Sequence, residues 1–469
     1  MASENFDLIV IGSGPAGEKG AAQAAYFGKK VALIEKEKFL GGAAANTGTL
    51  PSKTLRESSL VLSGFRKREL YGIDFSLKRE TTIKDFMHRE KFVTDSERNR
   101  IRNNIFRHKV ELFHGEGSFH DEHTVKIKRN DDSENFIKGK VILIATGSKP
   151  RHPEIYPFED PRILDSDTIL SLEKLPSSLA IVGGGVIGCE YACTFAALGI
   201  ETHLVESKDN LLSFLDFEIS VELKEQMHKL GIIFHMPERV KECTAKDEFV
   251  ELVLNSGKII KADNILVCSG RVSNTANLNL EETGIKSGEN GLIMVDSNYK
   301  TSKSHIYAVG DVIGFPGLAS TSMEQARLAM VNAFELKYKE RLAPILPYGI
   351  FTIPEVSMAG ETEESLNIKN IKYIVGKAYY GQNARGQIIG DLDGLLKLIF
   401  RQEDMKLLGV HVIGELATEL IHIGLTALMT GSKAELFIDT CYNYPTLGEL
   451  YKYATYDAMG KMSLMKKFK

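Results

Sequence analysis

The chain has 469 residues, 43% of them hydrophobic and 26% charged, and a formal net charge of −4 at pH 7. This length predicts about two to four domains, and the weak negative charge excludes the basic footprint of a nucleic-acid-binding protein. No run approaches the roughly 18 apolar residues of a membrane span, the polar amino terminus shows no secretory signal, and five scattered cysteines favour a reducing compartment, so we expect a cytoplasmic protein.

The first predicted elements form a βαβ unit around a glycine-rich turn. An apolar run over residues 8–11 leads into the turn, an alanine-rich helical pattern follows, and a second apolar run over residues 31–34 ends at Glu35. The turn has the pattern G-x-G-x-x-G, formed by Gly12, Gly14 and Gly17. These glycines permit a tight turn, a close approach to a pyrophosphate and close helix–strand packing. Glu35 ends the strand where a carboxylate accepts ribose hydroxyls, so the unit is predicted to bind a dinucleotide.

A long connection separates this unit from its repeat. Residues 81–109 are dense in charge at helical spacing, which predicts a helix with a solvated face. Strand-like runs follow at 110–113, 124–127 and 141–144. Four prolines between residues 150 and 161 indicate a linker.

The βαβ pattern then recurs, which predicts a second dinucleotide site. An apolar run over residues 179–182, a helical pattern through Leu198 and a strand over 202–205 ending at Glu206 repeat the first unit. Its glycine turn consists of Gly183, Gly185 and Gly188. An acid at Glu206 favours NAD, because the 2′-phosphate of NADP would meet a like charge. Lys208 could offset that charge, but an exposed lysine is more often merely solvated.

Cys189 and Cys193 lie four residues apart on the predicted helix. No histidine or further cysteine completes a metal-ligand set around them, so we interpret them as packed core residues and expect no metal site. Pro344 and Pro347 mark a further break, after which strands alternate with helices without a glycine fingerprint. The basic tail over residues 461–469 is either a membrane-contacting segment or, as is more common, a solvated terminus.

Residues 41–53, which read GGAAANTGTLPSK, resemble the active-site segment GG-x-C-x-x-x-G-C-x-P-S-K of the flavin-dependent pyridine nucleotide-disulfide oxidoreductases. Ala44 and Thr49 stand at the two cysteine positions, and a disulfide needs two sulfurs about 2 Å apart. Near the carboxyl end, Tyr444 replaces the histidine of the family's H-P-T-x-x-E motif, of which Glu449 remains. A phenol titrates near ~10 and an imidazole near ~6.5, so Tyr444 is a poor proton shuttle at neutral pH.

The resemblance implies that the first unit binds FAD and the second binds a nicotinamide nucleotide. Residues 145–147 and 306–311 match two further flavin motifs, in which Asp311 accepts hydrogen bonds from the ribityl chain. Lys53 is expected beside flavin N5 and Glu190 as its partner, as the two catalytic residues. The remaining implied contacts are Gly147 and Gly310 with FAD, and Gly270 with NAD.

Thr49, Tyr444 and the segments 189–191, 211–216 and 419–424 resemble the soluble pyridine nucleotide transhydrogenases within the family. This resemblance runs from Phe6 to about Tyr456, although these proteins usually keep a cysteine at the position of Ala44. This implies FAD-dependent hydride transfer between NADH and NADP, by ping-pong kinetics without a dithiol relay. Glu206 opposes NADP and favours an alternative, an oxidoreductase passing electrons from NADH to a quinone or another small acceptor. A flavin-bound NADH sensor without turnover is a third interpretation, whereas lipoamide or glutathione reduction is excluded.

The implied fold class is α/β, with two Rossmann-like dinucleotide-binding domains and an α+β carboxy-terminal dimerisation domain. The FAD domain is expected to be discontinuous, over residues 1–150 and 274–344, around an NAD(P) domain over 151–273. Residues 345–469 would form the dimerisation domain of a homodimer that acts on small nucleotide substrates. In that dimer Tyr444 is expected near the partner subunit's flavin.

Overall fold

The computed structural model describes residues 4–64 and 81–467. The first three residues, used above for the secretory signal, and the last two of the basic tail lie outside the described residues. The strands are β1 (Glu4–Ile11), β2 (Val31–Glu35), β3 (Glu111–His114), β4 (Glu116–Phe119), β5 (Thr124–Lys128), β6 (Glu134–Ile144), β7 (Ser148–Pro150), β8 (Ile163–Leu164), β9 (Ser178–Val182), β10 (Glu201–Val205), β11 (Ile233–His235), β12 (Val240–Ala245), β13 (Val250–Leu254), β14 (Ile259–Ala262), β15 (Asn264–Val267), β16 (Arg271–Ser273), β17 (Ile306–Ala308), β18 (Tyr348–Ile350), β19 (Val356–Gly360), β20 (Tyr373–Tyr379), β21 (Leu395–Arg401) and β22 (Leu407–Ile413).

The helices differ most from the sequence-based expectation at their ends. The alanine-rich sequence predicts the first helix over Gly20 to Phe27, whereas the helix begins at Pro15, because proline suits the first turn of a helix. The helices are α1 (Pro15–Tyr26), α2 (Gly42–Asn46), α3 (Thr49–Leu62), α4 (Ile83–Arg107), α5 (Val186–Ala197), α6 (Phe217–Lys229), α7 (Ala319–Ala333), α8 (Glu363–Ile368), α9 (Ala384–Ile389), α10 (Ala417–Met429), α11 (Glu435–Asp439) and α12 (Leu450–Lys467). Among the described helices, none is long and apolar enough to cross a membrane.

The first sheet has the order β3-β2-β1-β6-β5-β4, with β17 also paired to β6. Strands β1, β2, β3, β6 and β17 run parallel, and β4 and β5 are antiparallel. The second half of β1 is an unbroken buried apolar run, Leu8 to Ile11, as expected for a parallel strand covered on both faces. Because β17 joins this sheet more than 160 residues after β6 ends, the chain leaves the sheet and returns to it.

The second sheet has the order β11-β10-β9-β15-β8 and is parallel throughout. Helix α5 connects β9 to β10 and is buried along nearly its whole length. A three-stranded antiparallel sheet, β12-β13-β14, packs beside it. The carboxy-terminal part forms an antiparallel sheet of order β18-β19-β22-β21-β20, packed against α10 and α12. The predicted α/β class and its two βαβ units are therefore confirmed.

Candidate active site

The glycine turn after β1 needs glycine for backbone reasons at two of its three positions. A Cβ on Gly12, whose φ is +100°, would lie 2.5 Å from the carbonyl oxygen of Ala145, and a Cβ on Gly17 would lie 1.8 Å from the carbonyl oxygen of Gly12. These two residues permit the tight turn and the close packing of α1. Gly14 has only a distant neighbour, the Cα of Gly42 at 3.9 Å. Its surface is therefore free for the close approach of a ligand.

Glu35, at the end of β2, holds this turn in place. Its Oε2 accepts hydrogen bonds from the Ser13 backbone N–H at 2.9 Å and from the Ser13 hydroxyl at 2.6 Å. The Ser13 Oγ in turn accepts the N–H of Gly41, just before α2, at 3.0 Å. The carboxylate is buried and lies in the wall of the same cavity as the turn. The Glu35 carboxylate thus stabilises the turn by hydrogen bonds and is also an acceptor within reach of a ligand in the cavity.

The predicted flavin residues line one cavity of about 1170 Å³. This volume exceeds the usual range of small-ligand pockets, ~300–1,000 Å³, and suits a ligand as long as a dinucleotide. The Thr146 hydroxyl in its wall is buried without a hydrogen-bond partner, so it is available to a bound molecule. Of the residues assigned to FAD, only Gly17 is absent from the lining, which contains Gly12, Gly14, Glu35, Lys53, Gly147, Gly310 and Asp311. The donor set and the size of the cavity fit FAD.

Lys53 and Glu190 meet in this cavity from α3 and α5. The Lys53 Nζ lies 2.5 Å from Glu190 Oε2, and the Lys53 side chain is 26% exposed while that of Glu190 is 7% exposed. Glu190 Oε1 accepts the Phe351 backbone N–H at 2.9 Å, and the ammonium lies 5.3 Å from the centre of the Phe351 ring. Both carboxylate oxygens are therefore engaged, and the ammonium is held at a defined point of the wall.

The described residues in the wall of this cavity carry no sulfur. Ala44, within α2, and Thr49, at the start of α3, both line it, and the described residues that line it include no cysteine. Cys189 and Cys193 are fully buried in the core, as the packing interpretation predicts. Burial raises the pKa of the Cys193 thiol to about 12, so it remains protonated and unreactive at neutral pH.

The second glycine turn repeats the geometry of the first. A Cβ on Gly183 would lie 2.5 Å from the Cys268 carbonyl oxygen, and one on Gly188 would lie 1.9 Å from that of Gly183. A Cβ on Gly185 or on Gly270 would meet no other atom within 4 Å, so both residues present open backbone. None of these four glycines lines the large cavity. Val186, the residue after Gly185, does line it.

Glu206 stands at the end of β10 as Glu35 does at the end of β2. Its Oε2 accepts the Gly184 N–H at 2.6 Å, across the same separation of 22 residues that joins Ser13 to Glu35. Its Oε1 accepts the Lys208 backbone N–H at 2.9 Å. The Lys208 ammonium instead donates to Ser213 Oγ at 3.1 Å. The charge of Glu206 is therefore not offset by the Lys208 side chain.

Sequence reasoning missed a polar network beside Asp311. The Ser148 hydroxyl donates to Asp311 Oδ2 at 2.8 Å, and Arg271 donates through Nε to the Ser148 Oγ at 2.8 Å. All three residues line the large cavity. Arg271 directly follows Gly270, but a lone arginine on a three-residue strand carries no motif by which it could be found. Its cationic side chain is nevertheless the group that orients Ser148 toward Asp311.

Tyr444 lies apart from this cluster in the single chain. Its side chain is 75% exposed, and it is absent from the described cavity lining. The structure therefore does not bring Tyr444 or Glu449 together with Lys53 within one subunit.

Comparison with known proteins gives one consistent result. The pyridine nucleotide-disulphide oxidoreductase family matches residues 6–329, and the dimerisation domain of that family matches residues 346–455. A soluble pyridine nucleotide transhydrogenase of Mycobacterium tuberculosis is 44% identical over 465 residues, covering 99% of each chain. One from Pseudomonas savastanoi is 40% identical, covering 98% of this chain and 100% of the other. The crystal structure of LpdA from M. tuberculosis superposes with a TM-score of 0.89 at 26% identity, covering 97% of this chain and 99% of that one.

Proposed function

The chain belongs to the pyridine nucleotide-disulphide oxidoreductase family, and we propose that it transfers hydride from NADH, through a bound FAD, to a second pyridine nucleotide. FAD, when bound, supplies a ring that accepts hydride from one nucleotide and releases it to another. The carboxy-terminal part is the family's dimerisation domain, and the protein is a homodimer. The relatives named soluble pyridine nucleotide transhydrogenase support this activity.

The observation that carries the proposal is the sulfur-free wall around Lys53. A disulfide reductase needs two cysteines in contact, and the described cavity lining has Ala44 and Thr49 at those positions. The ion pair of Lys53 and Glu190 is present at the same wall. The site thus supports hydride exchange but offers no thiol route for electrons.

Each part of the site has a separate role in this proposal. The Lys53 ammonium stabilises negative charge that develops against it, and Glu190 holds that ammonium by a short ion pair. The turn containing Gly12 and Gly14 presents backbone N–H groups and the amino terminus of α1 to a pyrophosphate. Asp311, backed by Ser148, accepts hydroxyls of the flavin's sugar-alcohol chain.

We assign the parts of the chain accordingly. Residues 1–150 and 274–344 would form the FAD domain, residues 151–273 the NAD(P) domain and residues 345–469 the dimerisation domain. The return of β17 to the first sheet supports a discontinuous first domain. The open backbone at Gly185 and Gly270 supports a nucleotide cradle in the second. Scattered, unpaired cysteines support a cytoplasmic location.

One observation favours a second candidate, an oxidoreductase from NADH to a quinone or another small acceptor. The Glu206 carboxylate faces the second glycine turn without an offsetting ammonium from Lys208. A 2′-phosphate placed there would meet a like charge, so this candidate, which needs only NAD, avoids that conflict.

Anaerobic stopped-flow spectroscopy separates the two. Enzyme reduced with one equivalent of NADH is mixed with thio-NADP, thio-NAD or menadione, and flavin absorbance is followed. We expect a thio-nucleotide to reoxidise the flavin within the turnover time and to gain hydride stoichiometrically. Reoxidation by menadione alone, with neither nucleotide reacting, would reject hydride exchange and support the second candidate.

A further inference from the structure

Helix α3 carries a second cation, Arg56, three residues after Lys53. This spacing places the two side chains at neighbouring positions on the helix surface. Arg56 is only 4% exposed, and a buried guanidinium costs free energy unless polar groups surround it. Unlike Lys53, Arg56 does not line the large cavity. Its charge is therefore directed at other parts of the protein and not at a ligand.

The partners of Arg56 lie in the connection between β18 and β19, residues 351–355. The Arg56 Nε donates to the Thr352 carbonyl oxygen at 2.9 Å, and its Nη1 lies 3.4 Å from Glu355 Oε1. The same Nη1 also donates to the half-exposed carboxylate of Glu57. Arginine can bind two separate acceptors in this way because its donors form a rigid planar fork.

Glu355 in turn joins this connection to α10. Its Oε2 accepts the backbone N–H of Thr418 at 3.2 Å and the Thr418 hydroxyl at 2.8 Å. Thr352 and Glu355 are buried within the single chain, like Arg56. These contacts therefore need neither a ligand nor a second subunit. They tie the Lys53 helix to a segment that belongs to the family's dimerisation domain.

The same connection also contacts the Lys53 ion pair. Phe351, directly before Thr352, donates its N–H to Glu190 Oε1 at 2.9 Å, and the centre of its ring lies 5.3 Å from the Lys53 Nζ. The contacts thus form a closed triangle. Lys53 joins α3 to α5 through Glu190, Glu190 joins α5 to the connection through Phe351, and the connection returns to α3 through Arg56. Each side of the triangle restricts the other two.

We propose that Arg56 is a positioning residue for the flavin reaction. It holds the β18–β19 connection in place, so that Phe351 fixes Glu190 and Glu190 fixes the Lys53 ammonium at one point of the cavity wall. This inference rests on the proposed function. A charge stabilises a reacting centre only where it is preorganised, and a misplacement of about 1 Å can cost about 100-fold in rate. The dimerisation domain thereby contributes to the site of its own subunit.

The test measures the reduction potential of the flavin in the FAD-loaded dimer, by equilibration with a reference dye and without nucleotide. In Arg56→Met/Glu355→Gln neither position leaves an unpaired charge in the core, and the glutamine oxygen still accepts from Thr418. We expect reduction of the flavin to become about tenfold less favourable, which is a shift of about 30 mV to more negative values for a two-electron couple. Arg56→Lys keeps a cation beside Glu355 and should shift the potential less, in the same direction.

A double-mutant cycle separates positioning from a general loss of structure. If Arg56 acts through the Lys53 ammonium, the same two substitutions in a Lys53→Met background should change the equilibrium of reduction less than about twofold further. The matched control is Arg162→Met. Arg162 also binds a carboxylate, that of Asp160 at 2.8 Å, but does not line the cavity, so the potential should not change.

Several results would overturn the inference. A wild-type potential in every Arg56 variant that folds would contradict it, and Arg56→Lys carries this test if the double variant does not fold. An equal shift with and without Lys53, or an equal shift in Arg162→Met, would assign Arg56 a merely structural role. Because the potential is measured without nucleotide, failure of hydride exchange in the wild type would contradict the proposed function and leave this measurement intact.

Discussion

Lys53 and Glu190 lie 137 residues apart in the chain, yet the Lys53 Nζ is 2.5 Å from Glu190 Oε2. Helix α3 follows a strand of the first sheet, and α5 connects two strands of the second. The two helices must pack together to create this pair. The Phe351 backbone N–H donates a hydrogen bond to the other carboxylate oxygen of Glu190, so a third segment of the chain orients this glutamate. A mutation at any of these contacts is expected to act on the ammonium, and through it on the chemistry.

We expect Lys53→Met to slow the bleaching of the flavin by NADH about 100-fold or more, because a preorganised charge at a reacting centre contributes about that much. Glu190→Gln should slow the bleaching less than Lys53→Met does, since the amide oxygen still accepts the hydrogen bond from the Phe351 N–H. Stopped-flow absorbance measures both rates. Lys30→Met, which breaks an exposed pair with Glu4, is the control. A bleaching rate in Lys53→Met within threefold of wild type would contradict the assigned role.

Removal of the charge at Glu206 should shift nucleotide preference. In Glu206→Gln the side-chain oxygen still accepts the Gly184 N–H, and the repulsion of a 2′-phosphate disappears. We expect the KM for NADP to fall about tenfold while that for NADH rises less than threefold. Steady-state kinetics with each nucleotide provide the measurement, and Glu201→Gln, on the same strand but exposed, is the control. An unchanged ratio of the two KM values would show that Glu206 does not set preference.

Sulfur restored at both family positions should create a thiol route. Wild-type enzyme is expected to yield no dithiol and no lipoamide reduction when mixed with NADH. The double variant Ala44→Cys/Thr49→Cys should form a disulfide that NADH reduces to about two titratable thiols per FAD. Titration with a thiol reagent, before and after NADH, gives the count. Each single variant is the control and should show no NADH-dependent change, whereas lipoamide reduction by the wild type would refute the sulfur-free assignment.

Lys397 is fully buried and holds three carboxylates together, of which that of Asp216 is also buried. Its ammonium donates to Asp216 at 2.7 Å, to Glu218 at 3.0 Å and to Glu363. Burial by itself lowers the pKa of Lys397, but the three acids outweigh it and raise that pKa above its ordinary value. Lys397→Met leaves the buried Asp216 unpaired, so we expect a loss of about 3–5 kcal/mol in the free energy of unfolding.

Denaturant unfolding measures this loss, with the free energies of unfolding of wild type and variant compared at the same dependence on denaturant concentration. Lys369→Met breaks an exposed pair with Glu361 and should cost under ~1 kcal/mol. Equal losses in the Lys397 and Lys369 variants would contradict the account.

His235, on β11 beside the Glu206 strand, should make the fold acid-sensitive. Burial lowers the pKa of His235 to about 4, with Lys258 and His203 acting in the same direction and Glu238 opposing them. In the unfolded chain the His235 imidazole has its ordinary pKa of 6.5. The contribution of the neutral, buried His235 to stability is therefore complete above that pH. It is lost progressively as pH falls from about 6.5 to about 4.

We therefore expect His235→Gln to flatten the pH dependence of the melting temperature across that window. His228→Gln, at an exposed position on α6, should leave the slope unchanged. A slope in His235→Gln equal to that of the wild type would place the acid sensitivity elsewhere.

Features that depend on backbone geometry or on the identity of a single residue are local, and the sequence alone determined them. The glycine turns around Gly12 and Gly183, the acids that end their strands and the absence of sulfur at Ala44 and Thr49 all belong to this group. A turn that forbids a Cβ and a disulfide that requires two sulfurs restrict the residue type at a position, whatever tertiary structure surrounds it. The alternation of apolar runs and helical patterns likewise predicted the two βαβ units, which the sheets confirm.

Features that depend on the approach of distant segments were decided only by the tertiary structure. The resemblance proposed the pairing of Lys53 with Glu190, but the packing of α3 on α5 sets its distance and burial. The contact of Arg271 with Ser148 has no local signature, because the two residues come from separate segments whose spacing in sequence carries no periodicity. Contacts of this kind form when apolar faces bury against one another, and that is a property of the whole chain rather than of any stretch within it.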